Sequence, residues 1–259
     1  MSRHAQVATS CAVVALALAC VCPGAAAGDL PAKGEAELRL TPVELLGRDK
    51  AAAYSKIFKP EQTLSWHLYL PDSVSDKRPG VLVFVSPTRS GRANPRWHAV
   101  LDRHDVIYIG ADKSGNGTPV RQRVVLAVWA LEALRQRHAY DPARVYVAGW
   151  SGGGRVASLI ATRFPSLFDG ALYICGVDFW KDAAKLDMDR IRTNRYVFLT
   201  GEQDFNRLET KRVYRRYQRA GVHDVKLLDI LGMRHQNAAP ADLDEALGFL
   251  DGQEVSPEP

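Results

Sequence analysis

The chain has 259 residues, 46% hydrophobic and 24% charged, with 20 Gly and 14 Pro scattered without period. That composition excludes a disordered, collagen-like or low-complexity chain and leaves room for one large folded domain or two small ones. The net charge of +5 is mild and no nucleic-acid motif accompanies it, so no nucleic-acid partner is expected.

Residues 1–27 begin Met-Ser-Arg-His, continue as an apolar run of Ala, Val and Leu, and end Pro23-Gly24-Ala25-Ala26-Ala27. A basic start, a short apolar middle and small residues at the end predict a secretory signal peptide cleaved after Ala27. The expected product is secreted or periplasmic, with no stable membrane insertion after cleavage. A retained anchor or a lipid on Cys20 are the alternatives, but the run is short for a span and Ala17-Leu18-Ala19 is a poor lipobox. Cys11, Cys20 and Cys22 belong to this leader. Cys175 is then alone, which excludes an internal disulfide and a cysteine-based zinc site. In the run Ala-Leu-Tyr-Ile-Cys it reads as a buried small hydrophobe.

Residues 28–259 contain no repeat and no linker, and read as a single domain. Strands are predicted near 36–40, 63–70, 80–85, 105–110, 144–148, 170–175, 195–200 and 225–230. Val81–Val85 is apolar at every position, which suits a strand covered on both faces of a parallel sheet. Residues 63–70 alternate (Leu64, Trp66, Leu68, Leu70), which suits an antiparallel strand near an edge. Helices are predicted from Thr118-Pro119, with Thr118 as N-cap, to about Arg137; from Gly152 to about Arg163, stopped by Pro165; over Arg207–Arg219, stopped by Gly221; and from about Ala241 to Leu250. The basic residues of 207–219 read as a solvated helix face. Alternating strand and helix predict an α/β fold with a mostly parallel eight-stranded sheet and helices on both faces. Sites in such sheets gather at the carboxyl ends of the strands.

After the strand Val145-Tyr146-Val147-Ala148 comes Gly149-Trp150-Ser151-Gly152-Gly153-Gly154, and then a helix. This G-x-S-x-G places Ser151 on a sharp strand-to-helix turn that lifts its hydroxyl clear of the backbone. The Gly152 N–H, at the positive end of the helix, is a candidate oxyanion donor. A serine hydroxyl needs a base, and the base needs an orienting acid. The strand near 195–200 leads into Glu202-Gln203-Asp204, and the last strand leads into Met233-Arg234-His235. Asp204 and His235 are the expected partners, with Glu202 and Asp178 as the competing acids.

Tyr146–Ala157, with Phe164-Pro165-Ser166-Leu167-Phe168-Asp169-Gly170, resembles secreted bacterial esterases of the α/β-hydrolase superfamily, in the polyhydroxybutyrate depolymerase and feruloyl esterase branch. The prolyl-oligopeptidase catalytic domain is a more distant relative. The resemblance implies hydrolysis of a small-molecule or polymer-linked ester through an acyl-enzyme, with no cofactor and no metal. Two departures stand out. The usual His-Gly of the oxyanion corner is replaced by Ser86-Pro87, and Pro87 has no N–H, which leaves the Thr88 N–H as the expected second donor. The Ala-Gly-Gly-Ala-Met continuation of the depolymerase branch is also absent. Asp112–Gly117 follows a strand and should border the site, with a plain tight polar turn as the slightly favoured reading. Residues 177–194 are too short for more than a minimal lid, and their Phe179, Trp180, Leu186 and Met188 fit core packing at least as well as a lid. A peptidase and a hydrolase-like binding protein without turnover are the alternatives.

Overall fold

The computed structural model describes residues 30–72 and 77–253. The leader and the cleavage point after Ala27 lie outside these residues. No helix among the described residues is long and apolar enough to cross a membrane.

The chain begins with β1 (Gly34–Leu40), α1 (Pro42–Leu46), α2 (Arg48–Ala52), β2 (Leu64–Leu70) and β3 (Gly80–Val85). It continues through α3 (His98–His104), β4 (Val106–Ala111), α4 (Val120–Arg135), β5 (Val145–Trp150) and α5 (Gly152–Arg163). It closes with β6 (Gly170–Ile174), α6 (Met188–Thr193), β7 (Arg195–Gln203), α7 (Arg207–Arg219), β8 (Asp224–Arg234) and α8 (Pro240–Leu250). One eight-stranded sheet runs in the order β1-β2-β4-β3-β5-β6-β7-β8. β2 is antiparallel to both neighbours and all other pairs are parallel.

Burial explains the arrangement. β3, β4 and β6 are buried at every position, because each is covered by helices on both faces. On one face Leu126, Trp129 and Leu134 of α4, Val156 and Ile160 of α5, and Val213 and Tyr217 of α7 form one core. On the other, Val100 and Leu101 of α3 and Leu243, Leu247 and Leu250 of α8 form a second.

The structure corrects the predicted start of α4. Pro119 is the N-cap residue and no side chain caps the helix, while the Thr118 hydroxyl donates instead to the Lys113 carbonyl at 2.6 Å. The early helices went unpredicted although α1 carries a local signal. Thr41 accepts from the Glu44 N–H at 3.2 Å, the Glu44 carboxylate accepts from the Thr41 N–H at 2.7 Å, and Pro42 follows the cap. The α7 cations are paired more than a solvated face implies: Arg207 and Lys211 both hold Asp229, at 2.9 and 2.7 Å. The segment between β6 and β7 carries only a 3-10 turn (Ala183–Lys185) and α6. Its Phe179 and Trp180 pack against Tyr217, with ring centroids 5.8 and 4.7 Å away.

Candidate active site

β5 delivers the chain to Ser151, whose backbone stands at φ 56°, ψ −123° before α5 begins. That left-handed conformation is strained for a residue with a Cβ, and here the surrounding contacts hold it. The Ser151 N–H donates to the Ile174 carbonyl at 2.8 Å. Glycines let the turn pack this tightly. A Cβ on Gly149 would lie 2.4 Å from the Gly153 backbone, and one on Gly153 would lie 1.9 Å from the Val85 carbonyl oxygen. α5 therefore starts against the end of β3, with its first N–H groups lacking intrahelical partners beside Ser151.

β8 carries His235 back to this turn. His235 Nε2 lies 2.9 Å from Ser151 Oγ, and Nδ1 lies 2.7 Å from Asp204 Oδ1. A carboxylate only accepts, so Nδ1 holds the proton and Nε2 faces the hydroxyl as acceptor. Asp204, at the end of β7, has a fully buried side chain. Burial pushes its carboxyl up, but hydrogen bonds from His235, Thr200, the Asn206 N–H and Cys175 outweigh that and hold it below the ordinary range. The Thr200 hydroxyl donates at 2.7 Å and the Asn206 N–H at 3.0 Å. Neither competing acid bonds the imidazole. Glu202 accepts from the Gly232 N–H at 3.0 Å, and Asp178 pairs with Arg155 at 2.6 Å.

Two neighbours, Arg155 and Phe205, escaped the sequence reading, and a third, Cys175, lies closer to the site than it implied. Arg155, one turn into α5, also bonds Glu209 and reaches Asn206 Oδ1 at 3.5 Å, which ties the nucleophile turn to the loop carrying Asp204. Its place in the helix after the Gly run was the available signal. Phe205 stacks on His235 with centroids 3.9 Å apart, yet is 77% exposed. An aromatic next to the expected acid was its only mark. Cys175 is buried, as expected, but with φ 51° its thiol reaches the Gln236 carbonyl at 3.4 Å, beside the imidazole. Burial and the Asp204 charge push that thiol up to about 12.

The segment after β3, where the second oxyanion donor was expected, is closed by hydrogen bonds of its own. The Thr88 N–H donates to Ser86 Oγ at 3.1 Å. Asp112–Gly117 does border the corner: the Asn116 N–H donates to the Pro87 carbonyl at 2.9 Å, and a Cβ on Gly115 would lie 2.7 Å from the Thr88 backbone. Arg123 of α4, 3% exposed, donates to the Ser86 carbonyl at 3.0 Å.

Two clusters bring possible metal-ligand atoms within 4.8 Å of one another, Cys175–Asp204–His235 and Glu37–His67–Asp112. In the first, both imidazole nitrogens are engaged and the thiol is protonated. In the second, Arg39 holds Glu37 at 2.9 Å and the Gly91 N–H holds Asp112 at 2.9 Å. Clefts of about 300 and 470 Å³ lie around Gln62, Asp112 and Thr118 and around Asp178, Trp180 and Arg216, and neither reaches Ser151.

The sequence profile of the prolyl oligopeptidase family matches residues 127–233, a span that holds Ser151 and Asp204 and stops just short of His235. No curated protein matches the sequence. The S-formylglutathione hydrolase of Staphylococcus aureus is 13% identical with a TM-score of 0.60, the match covering 83% of this chain and 98% of that one. A ferulic acid esterase is 16% identical with a TM-score of 0.60, covering 84% and 98%. A puromycin-hydrolysing peptidase of Mycobacterium tuberculosis is 15% identical with a TM-score of 0.53, covering 72% of this chain and 37% of that one. With its strand order and strand-to-helix turn, the chain has the α/β-hydrolase fold.

Proposed function

We propose that this chain of α/β-hydrolase fold is a serine hydrolase that cleaves carboxylic esters through an acyl-enzyme. One observation carries the reading. Ser151, on a strained turn at the carboxyl end of the sheet, is hydrogen-bonded to His235, which is hydrogen-bonded in turn to Asp204.

The chemistry follows from that chain of bonds. Ser151 Oγ attacks the ester carbonyl while His235 Nε2 takes the hydroxyl proton. The new Oγ–C bond gives a tetrahedral oxyanion, which the Gly152 N–H and a second donor stabilise. Collapse breaks the C–O bond to the alcohol, and His235 returns its proton to that leaving oxygen. Water, deprotonated by His235, then attacks the acyl-enzyme and releases the acid. Asp204 fixes the tautomer and stabilises the imidazolium. No step calls for a metal or cofactor.

The test is covalent labelling of the full chain with a fluorophosphonate, the label mapped by mass spectrometry, beside turnover of p-nitrophenyl acetate. Label on Ser151 with turnover, both lost in Ser151→Ala, is the expected result. No label and no turnover from a folded protein would leave a hydrolase-like binding protein. A peptidase is the second reading, favoured by the prolyl-oligopeptidase profile. Hydrolysis of aminoacyl p-nitroanilides at rates matching the esters would put it first. We propose further that residues 1–27 are a secretory leader. Mass spectrometry of the exported chain should find its N-terminus at Gly28, and a retained leader would refute this.

A further inference from the structure

Resting on the reading of Ser151 as nucleophile, we propose that the side-chain amide of Asn116 is the second oxyanion donor, and that Arg123 is the positioning residue that aims it. The need for another donor comes from the corner itself. Pro87 has no N–H, and the Thr88 N–H is spent on Ser86 Oγ at 3.1 Å. Ser86 Oγ also lies 2.9 Å from Thr88 Oγ1, so the two side chains and the backbone close on one another instead of on a substrate.

Asn116 stands beside the residue that carries the first donor. Its backbone is fixed to the oxyanion corner through the Pro87 carbonyl at 2.9 Å. Its amide lies against Gly152, the residue whose N–H is the first donor. A methyl on Gly152 would come within 2.2 Å of Asn116 Oδ1 and 3.1 Å of Nδ2. The glycine after the nucleophile thus leaves the space that the amide, oxygen foremost, fills.

Arg123 settles which way the amide faces. Its Nη1 lies 3.4 Å from Asn116 Oδ1, and its Nη2 donates to the Ser86 carbonyl at 3.0 Å. A guanidinium can only donate, so the amide atom turned towards it is the oxygen. The Asn116 NH₂ is turned away from it, on an exposed residue, and makes no hydrogen bond among the described residues. Arg123 itself is 3% exposed, pairs with no carboxylate among the described residues, and keeps a buried Nε without a partner. A lone buried cation is costly to retain. Behind an oxyanion, it supplies fixed positive potential where negative charge develops.

The experiment measures kcat and KM for p-nitrophenyl acetate in the full chain, with melting temperatures. Asn116→Ala should lower kcat about 100-fold, the usual loss for one oxyanion donor, and leave KM within about threefold. Asn116→Asp should lower kcat further, because the introduced carboxylate removes the donor and repels the oxyanion. It should nevertheless melt no lower than wild type, because that carboxylate gains Arg123 as a partner. A merely structural Asn116 would not separate rate from stability in this way. Arg123→Gln should lower kcat with KM steady, and adding it to Asn116→Ala should cost little more. If the Arg123 variant does not fold, the two Asn116 variants decide. Asn116→Ala with kcat within threefold of wild type, or Asn116→Asp no slower than Asn116→Ala, would overturn the inference while the Ser151 reading stands. A wild-type chain that neither labels nor turns over ester sinks both.

Discussion

Two buried histidine–aspartate arrangements stand at opposite ends of the sheet, and they share chemistry but not consequence. At the carboxyl ends, His235 spends one nitrogen on Asp204 and turns the other to Ser151, with 18% of its side chain exposed. At the amino ends, His104 spends Nε2 on Asp244 at 2.8 Å and directs Nδ1 to Asp251 at 3.5 Å, with 7% exposed. Asp251 also holds Arg144 and the Tyr146 hydroxyl, so this second arrangement clamps α3 and α8 to the start of β5. On the proposed reading, what separates a reactive pair from a structural one is the partner of the second nitrogen. A hydroxyl on a strained turn can be activated, whereas a second carboxylate can only fix the ring.

The sharpest way to break the comparison is to remove one member from each end. His235→Ala should lower kcat for p-nitrophenyl acetate about 10⁶-fold, and Asp204→Asn about 10⁴-fold, by analogy with serine proteases. Both should melt near the wild-type temperature. If either retained turnover within tenfold of wild type, the carboxyl-end pair would be structural as well. At the other end, Asp251→Ala strips the partner from Arg144 and His104 in a buried site. It should cost about 3 kcal/mol in urea unfolding while kcat stays at the wild-type level.

The two ends should also differ in how pH reaches them. Burial opposes the charge on His104, but the carboxylates of Asp251 and Asp244 outweigh it and raise its pKa above the ordinary 6.5. The folded state therefore binds this proton more tightly than the unfolded chain. The resulting stability is complete below 6.5 and is lost as pH rises through the folded value. Asp251 works in the other direction. Burial pushes it up, yet its bonds to His104, Arg144 and Tyr146 hold it at about 2. Its contribution is present above the ordinary 3.8 and disappears as pH falls towards 2. The clamp is strongest between those limits. Urea unfolding at pH 5.5 and 8.5 should show a loss at the higher pH that His104→Gln makes smaller. An unchanged loss in that variant would show that His104 carries no such linkage.

How legible each end was follows from the range of its signals. The central strands were readable because runs such as Val81–Val85 and Tyr196–Leu199 are unbroken, as burial on both faces requires, and β2 was readable from its alternation. Ser151, Asp204 and His235 could be singled out because each follows a strand, and in the structure hydrogen bonds join them. The amino-end clamp was not. His104, Arg144, Asp244 and Asp251 close contacts across more than a hundred residues of chain, and nothing local marks such pairs. The Thr118 cap failed for the opposite reason: a correct local signal was outbid by the Lys113 carbonyl. Arg123 hid in the same way, since one arginine in an amphipathic helix reads as surface until the fold buries it.

The smallest effect tests the boundary of the carboxyl-end arrangement. Phe205 lies on His235 at 3.9 Å with ring planes 24° apart, while most of its surface faces solvent. Its burial therefore adds little to folding, and Phe205→Ala should leave the melting temperature nearly unchanged. The stacking restrains the imidazole against rotation about the Asp204 bond. An aromatic pair of this kind is worth about 0.5–1.5 kcal/mol, so kcat should fall about two- to twelvefold. The ring is also exposed beside the imidazole that would protonate the leaving alcohol. The loss in kcat/KM should then be greater for an aromatic leaving group than for an ethyl ester of the same acid. Equal losses would confine Phe205 to holding the imidazole, and no loss would show that the Asp204 bond alone fixes the ring.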